Sequence, residues 1–375
     1  METTRMKDVL TEVRGQVGFI TLNRFRALNA LSLDMVRSLT ATLLQWQADP
    51  AVQAVAIRGT SKSAATGEGV PFGGFCAGGD IRFFHQAALV GNPELEDFFT
   101  EEYSLNHLIH HYTKPYIAFM DGIVMGGGMG ISQGASHRLV TARTKMAMPE
   151  TNIGLFPDVG GGHFLGACPG RAGEWLALTG DVIDGATALA LGLADVYVDV
   201  AALQAAWDAL AQIDFQKPDA IAPWLAMHSI AAPADSMPHA DQIDRYFALD
   251  SVPAIVQALE ADDSAWARHT ATVLRKRSPL MLHVVLEQVR RARSMTLAED
   301  LRMERTMVRH CFQTRHLDRW GASSETVEGI RALAVDKDHH PAWNPARIED
   351  VTPAMVAPFF TSPWPAHAHP LRDLA

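Results

Sequence analysis

The chain has 375 residues, 48% of them hydrophobic, and a formal net charge of −10. That is enough apolar material for one large domain or two, and the acidic balance argues against non-specific nucleic-acid binding while leaving room for a local basic patch on an anionic cofactor. Three scattered cysteines, Cys76, Cys168 and Cys311, do not make a disulfide framework or a zinc site, METTRMKDVL lacks the apolar core of a signal peptide, and no apolar run reaches the roughly 18 residues of a membrane span; a reduced, cytoplasmic setting without a membrane partner is expected.

In chain order, VLTEVRGQVGFITLNR predicts two short strands around a turn at Arg14, Gly15 and Gln16. SLDMVRSLTATLLQWQAD predicts an amphipathic helix, with Met35, Leu39, Leu43 and Trp46 at helical spacing and Ser32 as its N-cap. AVQAVAIRG is a buried strand, and SKSAATGEGVPFGGFCAGGD is a long glycine- and serine-rich loop of the kind that often carries function. A helix through FFTEEYSLNHLIHHY, a strand through KPYIAFMDGIVM, a further helix after the glycines and short strands in HRLVTARTKMAM come next. Strands alternating with helices predict an α/β core. Beyond about residue 200 helical spacing dominates, with a capping box at Thr296 and Glu299. Lys217 to Pro238 reads as a linker or irregular arm, and the last 20 residues as extended.

The stretch DGIVMGGGMGISQG places three consecutive glycines where a strand feeds a helix. Glycine is costly in a helix, so bare backbone is required there, either for tight packing and a turn at positive φ or for close approach of a ligand to unpaired N–H groups. Gly130 to Gly134 fits G-x-S-x-G, but the sharp turn is already made by Gly126 to Gly128, which leaves Ser132 inside the helix. FCAGGDIR is a second glycine turn ahead of a helix, with the Gly79 and Asp80 N–H groups able to donate. Two such turns aimed at one point would form a two-donor oxyanion hole, each donor contributing roughly 2.7–4 kcal/mol. In MAMPETNIGLFPDVGGGHFL, Glu150 and Asp158 follow prolines in apolar surroundings; partial burial would raise their pKa values and suit them to proton transfer, and helix capping or pairing with an arginine is the alternative.

Together ITLNRFRALNALS, FCAGGDIR, MDGIVMGGGMGIS, MAMPETNIGLFPDVGGG and ALTGDVIDGATALALGLADVYV resemble the enoyl-CoA hydratase/isomerase (crotonase) superfamily, in order over about residues 10–200. The resemblance implies an α/β fold: a crotonase-like spiral of ββα units over residues 1–200, for acyl-CoA binding and catalysis, and a mainly helical C-terminal region over 201–375 with an extended tail. FCAGGDIR, EEYSLN, PETNIGLFPDVGGG and VEGIRALAVDKDHHPAWNP resemble its 3-hydroxyisobutyryl-CoA hydrolase subfamily most.

The same resemblance implies roles for individual residues. Gly79 and Gly127 donate the oxyanion N–H groups to the thioester oxygen, Glu150 is the catalytic glutamate, and Asp158 and Glu102 line the pocket with it. Arg26, Ala27, Leu28, Ala77, Asp80, Ile81 and Arg82 grip coenzyme A. No metal or redox cofactor is implied, the partner is the acyl-CoA substrate, and self-association through C-terminal helices occurs in the superfamily. Hydratases carry a first glutamate three residues after the middle glycine; here that residue is Gly130. Water addition would lose one of two proton-handling groups, a factor of about 100 or more, whereas hydrolysis does not need it. The expected activity is hydrolysis of a short branched β-hydroxyacyl-CoA in valine catabolism. The rivals are an isomerase- or hydratase-type reaction, a noncatalytic acyl-CoA-binding protein, and a serine hydrolase using Ser132.

Overall fold

In the computed structural model, which describes residues 7–61, 72–234 and 236–375, β1 (Val9–Arg14) and β2 (Val17–Leu22) form the expected antiparallel hairpin. Helix α1 (Leu33–Ala48) follows, its Met35 N–H bonded to the Ser32 hydroxyl at 3.3 Å. β3 (Ala54–Gly59), β4 (Tyr116–Met120), β6 (His137–Val140) and β8 (Val196–Tyr197) add in parallel, giving a six-stranded sheet in the order β1-β2-β3-β4-β6-β8. The short strands β5 (Ile123–Met125) and β7 (Lys145–Ala147) pair separately. Part of the predicted glycine- and serine-rich loop, residues 62–71, lies outside the described residues.

β2 is buried on both faces because it is covered twice. On one side Trp46 of α1 lies so close to Gly18 that a Cβ there would stand 2.4 Å from its ring. On the other, Trp207 packs edge-on against Phe19 and Phe119, at 4.8 and 5.2 Å between ring centroids. Phe72, Leu210, Ile221 and Trp224 complete that layer.

The chain divides into two compact units, each made of three separate stretches of sequence. The first comprises Met1–Gly79, Leu105–Met146 and Val182–Met237; the second comprises Asp80–Ser104, Ala147–Asp181 and Pro238–Ala375. The sheet and its aromatic layer belong to the first. Lys217 to Pro238 is not simply an arm. Residues Ile221–His228 are helical, with Ile221 and Trp224 buried and the Trp224 indole N–H bonded to the Ala206 carbonyl at 2.9 Å. Pro223 sits in that helix's first turn, where a missing N–H costs nothing.

The second unit is mainly helical. It holds α2 (Ile81–Val90), the first part of α3 (Glu94–His110), α5 (Gly161–Gly166), α6 (Ala172–Thr179), α7 (Pro279–Ala292), α8 (Leu297–Phe312) and α9 (Glu325–Ile330); α4 (Gly127–Gln133) belongs to the first unit. The capping box forms as expected, with Thr296 N–H bonded to Glu299 at 2.8 Å. The tail, by contrast, is not extended. It makes short turns at Ala357–Phe360 and Ala366–Ala368, buries Phe359 and Leu371, and is tied to α8 by Arg302, which donates to the Leu374 carbonyl at 2.8 Å. Its prolines restrict the chain, and its apolar side chains supply the burial that folds it back. Among the described residues no helix is long and apolar enough to cross a membrane.

Candidate active site

Two glycine turns of the first unit lie side by side, one later in the chain than β3 and the other directly after β5. Cys76 bridges Val124: its N–H donates to the Ile123 carbonyl at 2.9 Å and its carbonyl accepts from Met125 at 3.0 Å. Gly78, at φ +104°, comes so near the second turn that a Cβ would stand 3.2 Å from the Met125 oxygen and 3.5 Å from the Gly127 nitrogen. The three glycines divide the work. Gly126 makes the turn at φ 49° and ψ −123°, Gly127 opens α4, and Gly128 admits the first loop, since a Cβ there would lie 2.4 Å from the Cys76 carbonyl oxygen. Among the described residues neither the Gly79 nor the Gly127 N–H donates to a backbone carbonyl.

Ser132 is fully buried within α4 and donates to the Gly128 carbonyl at 2.8 Å, which removes it as an exposed nucleophile. Gly130 is buried in the same helix. Of the positions expected to hold coenzyme A, Arg26 and Ala27 form a short turn ending at Leu28, which is exposed at φ +53°, and Ala77 joins them by an N–H bond of 3.0 Å to the Leu28 carbonyl. In the second unit Asp80 caps α2 by accepting from the Phe83 N–H at 3.3 Å, and Ile81 and Arg82 are that helix's first residues.

The second unit gathers Glu102, Glu150 and Asp158, all buried. Glu150 opens a short turn, Glu150–Ile153, closed by Gly154 at φ +66°. That turn is held from several sides. The Arg277 guanidinium donates to Asn152 Oδ1 at 2.7 Å, the Ser278 N–H to the Thr151 carbonyl at 3.1 Å, and the Thr326 hydroxyl to the Gly154 carbonyl at 2.6 Å. Glu102 and Tyr103 come from α3, which is fixed to α8 because Glu96 pairs with Arg305 and Arg309, both at 2.5 Å. The Tyr103 hydroxyl donates to Asp158 Oδ2 at 2.8 Å.

Burial is the main electrostatic force on the three carboxyls, and among the described residues no cation offsets it. Glu102 is held well above the usual carboxylate range by burial, then by Asp158 and Glu150; Glu150 is raised by burial and then by Asp158. Burial pushes Asp158 up to about 7 against the opposing pull of the Tyr103 hydrogen bond. Glu102 Oε1 and Glu150 Oε2 are buried without a partner among the described residues. Burial and mutual repulsion disfavour three negative charges together, so the cluster keeps its protons to higher pH than free carboxyls do. Sequence reasoning missed Tyr103, Gln288, Asp300 and Glu304, which also surround the Asp158 turn. Asp300 and Glu304 sit in a charge-rich helical stretch, yet both are fully buried.

The sequence profile described as enoyl-CoA hydratase/isomerase matches residues 17–360. A Bos taurus protein named 3-hydroxyisobutyryl-CoA hydrolase, mitochondrial, is 37% identical over 366 residues, 96% of this chain and 90% of its own length. The Arabidopsis thaliana protein named probable 3-hydroxyisobutyryl-CoA hydrolase 3 is 36% identical, covering 94% of this chain and 91% of its own. Among solved structures, one titled as a carnitinyl-CoA dehydratase from Mycobacterium thermoresistibile superposes with a TM-score of 0.86 at 37% identity, covering 98% of this chain and 99% of the other. Another, titled as an enoyl-CoA hydratase from Rhodobacter sphaeroides, gives 0.83 at 35% identity, covering 95% and 98%.

Proposed function

The chain belongs to the enoyl-CoA hydratase/isomerase family, and on that premise we propose that it hydrolyses a short branched β-hydroxyacyl-CoA thioester, 3-hydroxyisobutyryl-CoA, to 3-hydroxyisobutyrate and coenzyme A, a step of valine catabolism. The names of the relatives that match almost the whole chain support the substrate. The observation that carries the chemistry is the pair of adjoining glycine turns, whose Gly79 and Gly127 N–H groups donate to no backbone carbonyl among the described residues.

In this reading those N–H groups polarise the thioester carbonyl and stabilise the oxyanion that develops on it. Two routes lead on. The Glu150 carboxylate adds to the carbonyl carbon, the C–S bond breaks, and water then opens the mixed anhydride; or Glu150 takes a proton from a water that adds directly. Either way one water is consumed and the coenzyme A thiolate leaves; the water oxygen ends in the acid where water adds at the acyl carbon. Asp158 and Glu102 bind the substrate hydroxyl or relay the proton. Arg26, Ala27, Leu28, Ala77, Asp80, Ile81 and Arg82 hold coenzyme A, which enters as part of the substrate, and no metal or redox cofactor is used. The three cysteines, all buried and none in a disulfide, support a reducing compartment such as the cytoplasm; several animal relatives are named as mitochondrial proteins.

The titles of the two solved structures favour a second reading, hydration or dehydration at a double bond. Gly130 opposes it, because a hydratase-type glutamate is lacking at that position. Thiol release from 3-hydroxyisobutyryl-CoA, measured beside the loss of crotonyl-CoA absorbance, separates the two: the hydrolase reading predicts the first signal without the second.

A further inference from the structure

We infer that Tyr103 and Glu304 are positioning residues for Asp158, Tyr103 fixing its side chain and Glu304 the turn that carries it. The inference rests on the hydrolase reading and extends it to residues outside the expected catalytic set.

Tyr103 is fully buried, and its hydroxyl ends 2.8 Å from Asp158 Oδ2. A phenol in that place donates, so it holds one carboxylate oxygen and with it the orientation of the side chain. Glu304 reaches the same turn from α8. Its Oε2 accepts the Gly160 N–H at 2.8 Å and its Oε1 accepts the Gly162 N–H at 3.0 Å. Gln288 joins the arrangement, donating to the Pro157 carbonyl at 2.7 Å and to Glu304 Oε1 at 3.2 Å. Asp300, one turn before Glu304, accepts the His163 N–H at 2.7 Å. Asp158 is thus bracketed on both sides of the chain, at Pro157 and at Gly160. The bracket has work to do, since Val159 and Gly160 both sit at positive φ, +58° and +85°, a conformation a valine adopts only when its surroundings impose it.

The groups that face Asp158 are Glu102 and Tyr103 from α3, Glu150 from its turn, and Glu304 and Cys311 from α8, with Asp300 beside Glu304 and Glu325 of α9 beside Cys311. Among the described residues Tyr103 is the side chain that donates to Asp158 in this otherwise acidic surrounding, beside a backbone N–H of Asp158 itself. It favours the ionised form of Asp158.

The test is kcat, KM and their pH dependence for wild type, Y103F and E304Q on 3-hydroxyisobutyryl-CoA, with melting curves alongside. Y103F is expected to lose roughly 10- to 100-fold in kcat, the size of one hydrogen bond to a charged group, with KM within about twofold, and its acid limb is expected to move to higher pH because Asp158 loses a donor. E304Q replaces one acceptor by an amide and is expected to lower kcat roughly tenfold at temperatures well below its melting point. Wild-type kcat and an unmoved acid limb in Y103F would overturn the role of Tyr103. A lowered melting point with unchanged kcat in E304Q would make Glu304 merely structural. A wild-type protein that releases no thiol overturns the hydrolase reading itself, which an active wild type with unaltered variants does not.

Discussion

The Thr326 hydroxyl donates a 2.6 Å hydrogen bond to the carbonyl of Gly154, the residue that closes the turn opened by Glu150. Gly154 has no room for a side chain there, since a Cβ would lie 2.6 Å from the Glu325 carbonyl oxygen. Helix α9 and the Glu150 turn are therefore pressed together, and Gly329 of the late motif joins the contact, since a Cβ there would lie 2.4 Å from the Ile153 carbonyl carbon. Thr326→Val keeps the shape and removes the donor. It should cost about 1–3 kcal/mol in urea unfolding, because a buried carbonyl loses its partner, and it should lower kcat more than it raises KM.

Asp158 supplies a pH prediction with a definite sign. Its pKa in the folded protein, about 7, lies above the value of 3.8 for a free aspartate. The folded state thus binds the proton more tightly than the unfolded chain. The stability this contributes is complete below about pH 4 and is lost as pH rises toward 7. Asp158→Asn removes the buried charge and should melt at a higher temperature than wild type at pH 8, by an amount that shrinks at pH 5. Equal melting points at both values would contradict the electrostatic picture.

Gly128→Ala tests the junction of the two glycine turns. The added methyl would meet backbone, the Cys76 carbonyl oxygen at 2.4 Å, which cannot rotate away. The turns must part, and the Gly127 N–H moves with them. Loss of one oxyanion donor costs roughly 10²–10³ in kcat, so a near-complete loss of thiol release is expected from a protein whose far-ultraviolet circular dichroism stays close to wild type.

Trp207→Ala should destabilise the first unit by about 3–5 kcal/mol in urea unfolding, the usual cost of emptying a large aromatic site. Trp207 fills the space between Phe19 and Phe119. A loss under about 1 kcal/mol would mean that the aromatic layer does not anchor the sheet.

Local patterns made much of the fold legible. Alternation around Gly15, the spacing from Met35 to Trp46, the Ser32 cap and the Thr296–Glu299 box each depend on neighbours within a few residues, and each formed as expected. What failed depended on distant packing. Prolines suggested an irregular arm at Lys217 to Pro238, but burial of Ile221 and Trp224 makes part of it a helix. The tail's prolines suggested an extended end, but Phe359 and Leu371 bury and fold it back. The candidate site divides in the same way. Glycine runs and proline-flanked carboxylates announce themselves in a sequence, whereas Glu304 lies among other charged residues in LAEDLRMERTM, and only the turn at Gly160, 144 positions away, makes it a buried acceptor.

The most direct test of the whole account is single-turnover thiol release from 3-hydroxyisobutyryl-CoA by wild type and by Glu150→Gln, with the acid product identified. Rapid release of coenzyme A and 3-hydroxyisobutyrate by wild type, and a loss of 10²-fold or more in the variant, are the predicted result. Release by Glu150→Gln at the wild-type rate would contradict it.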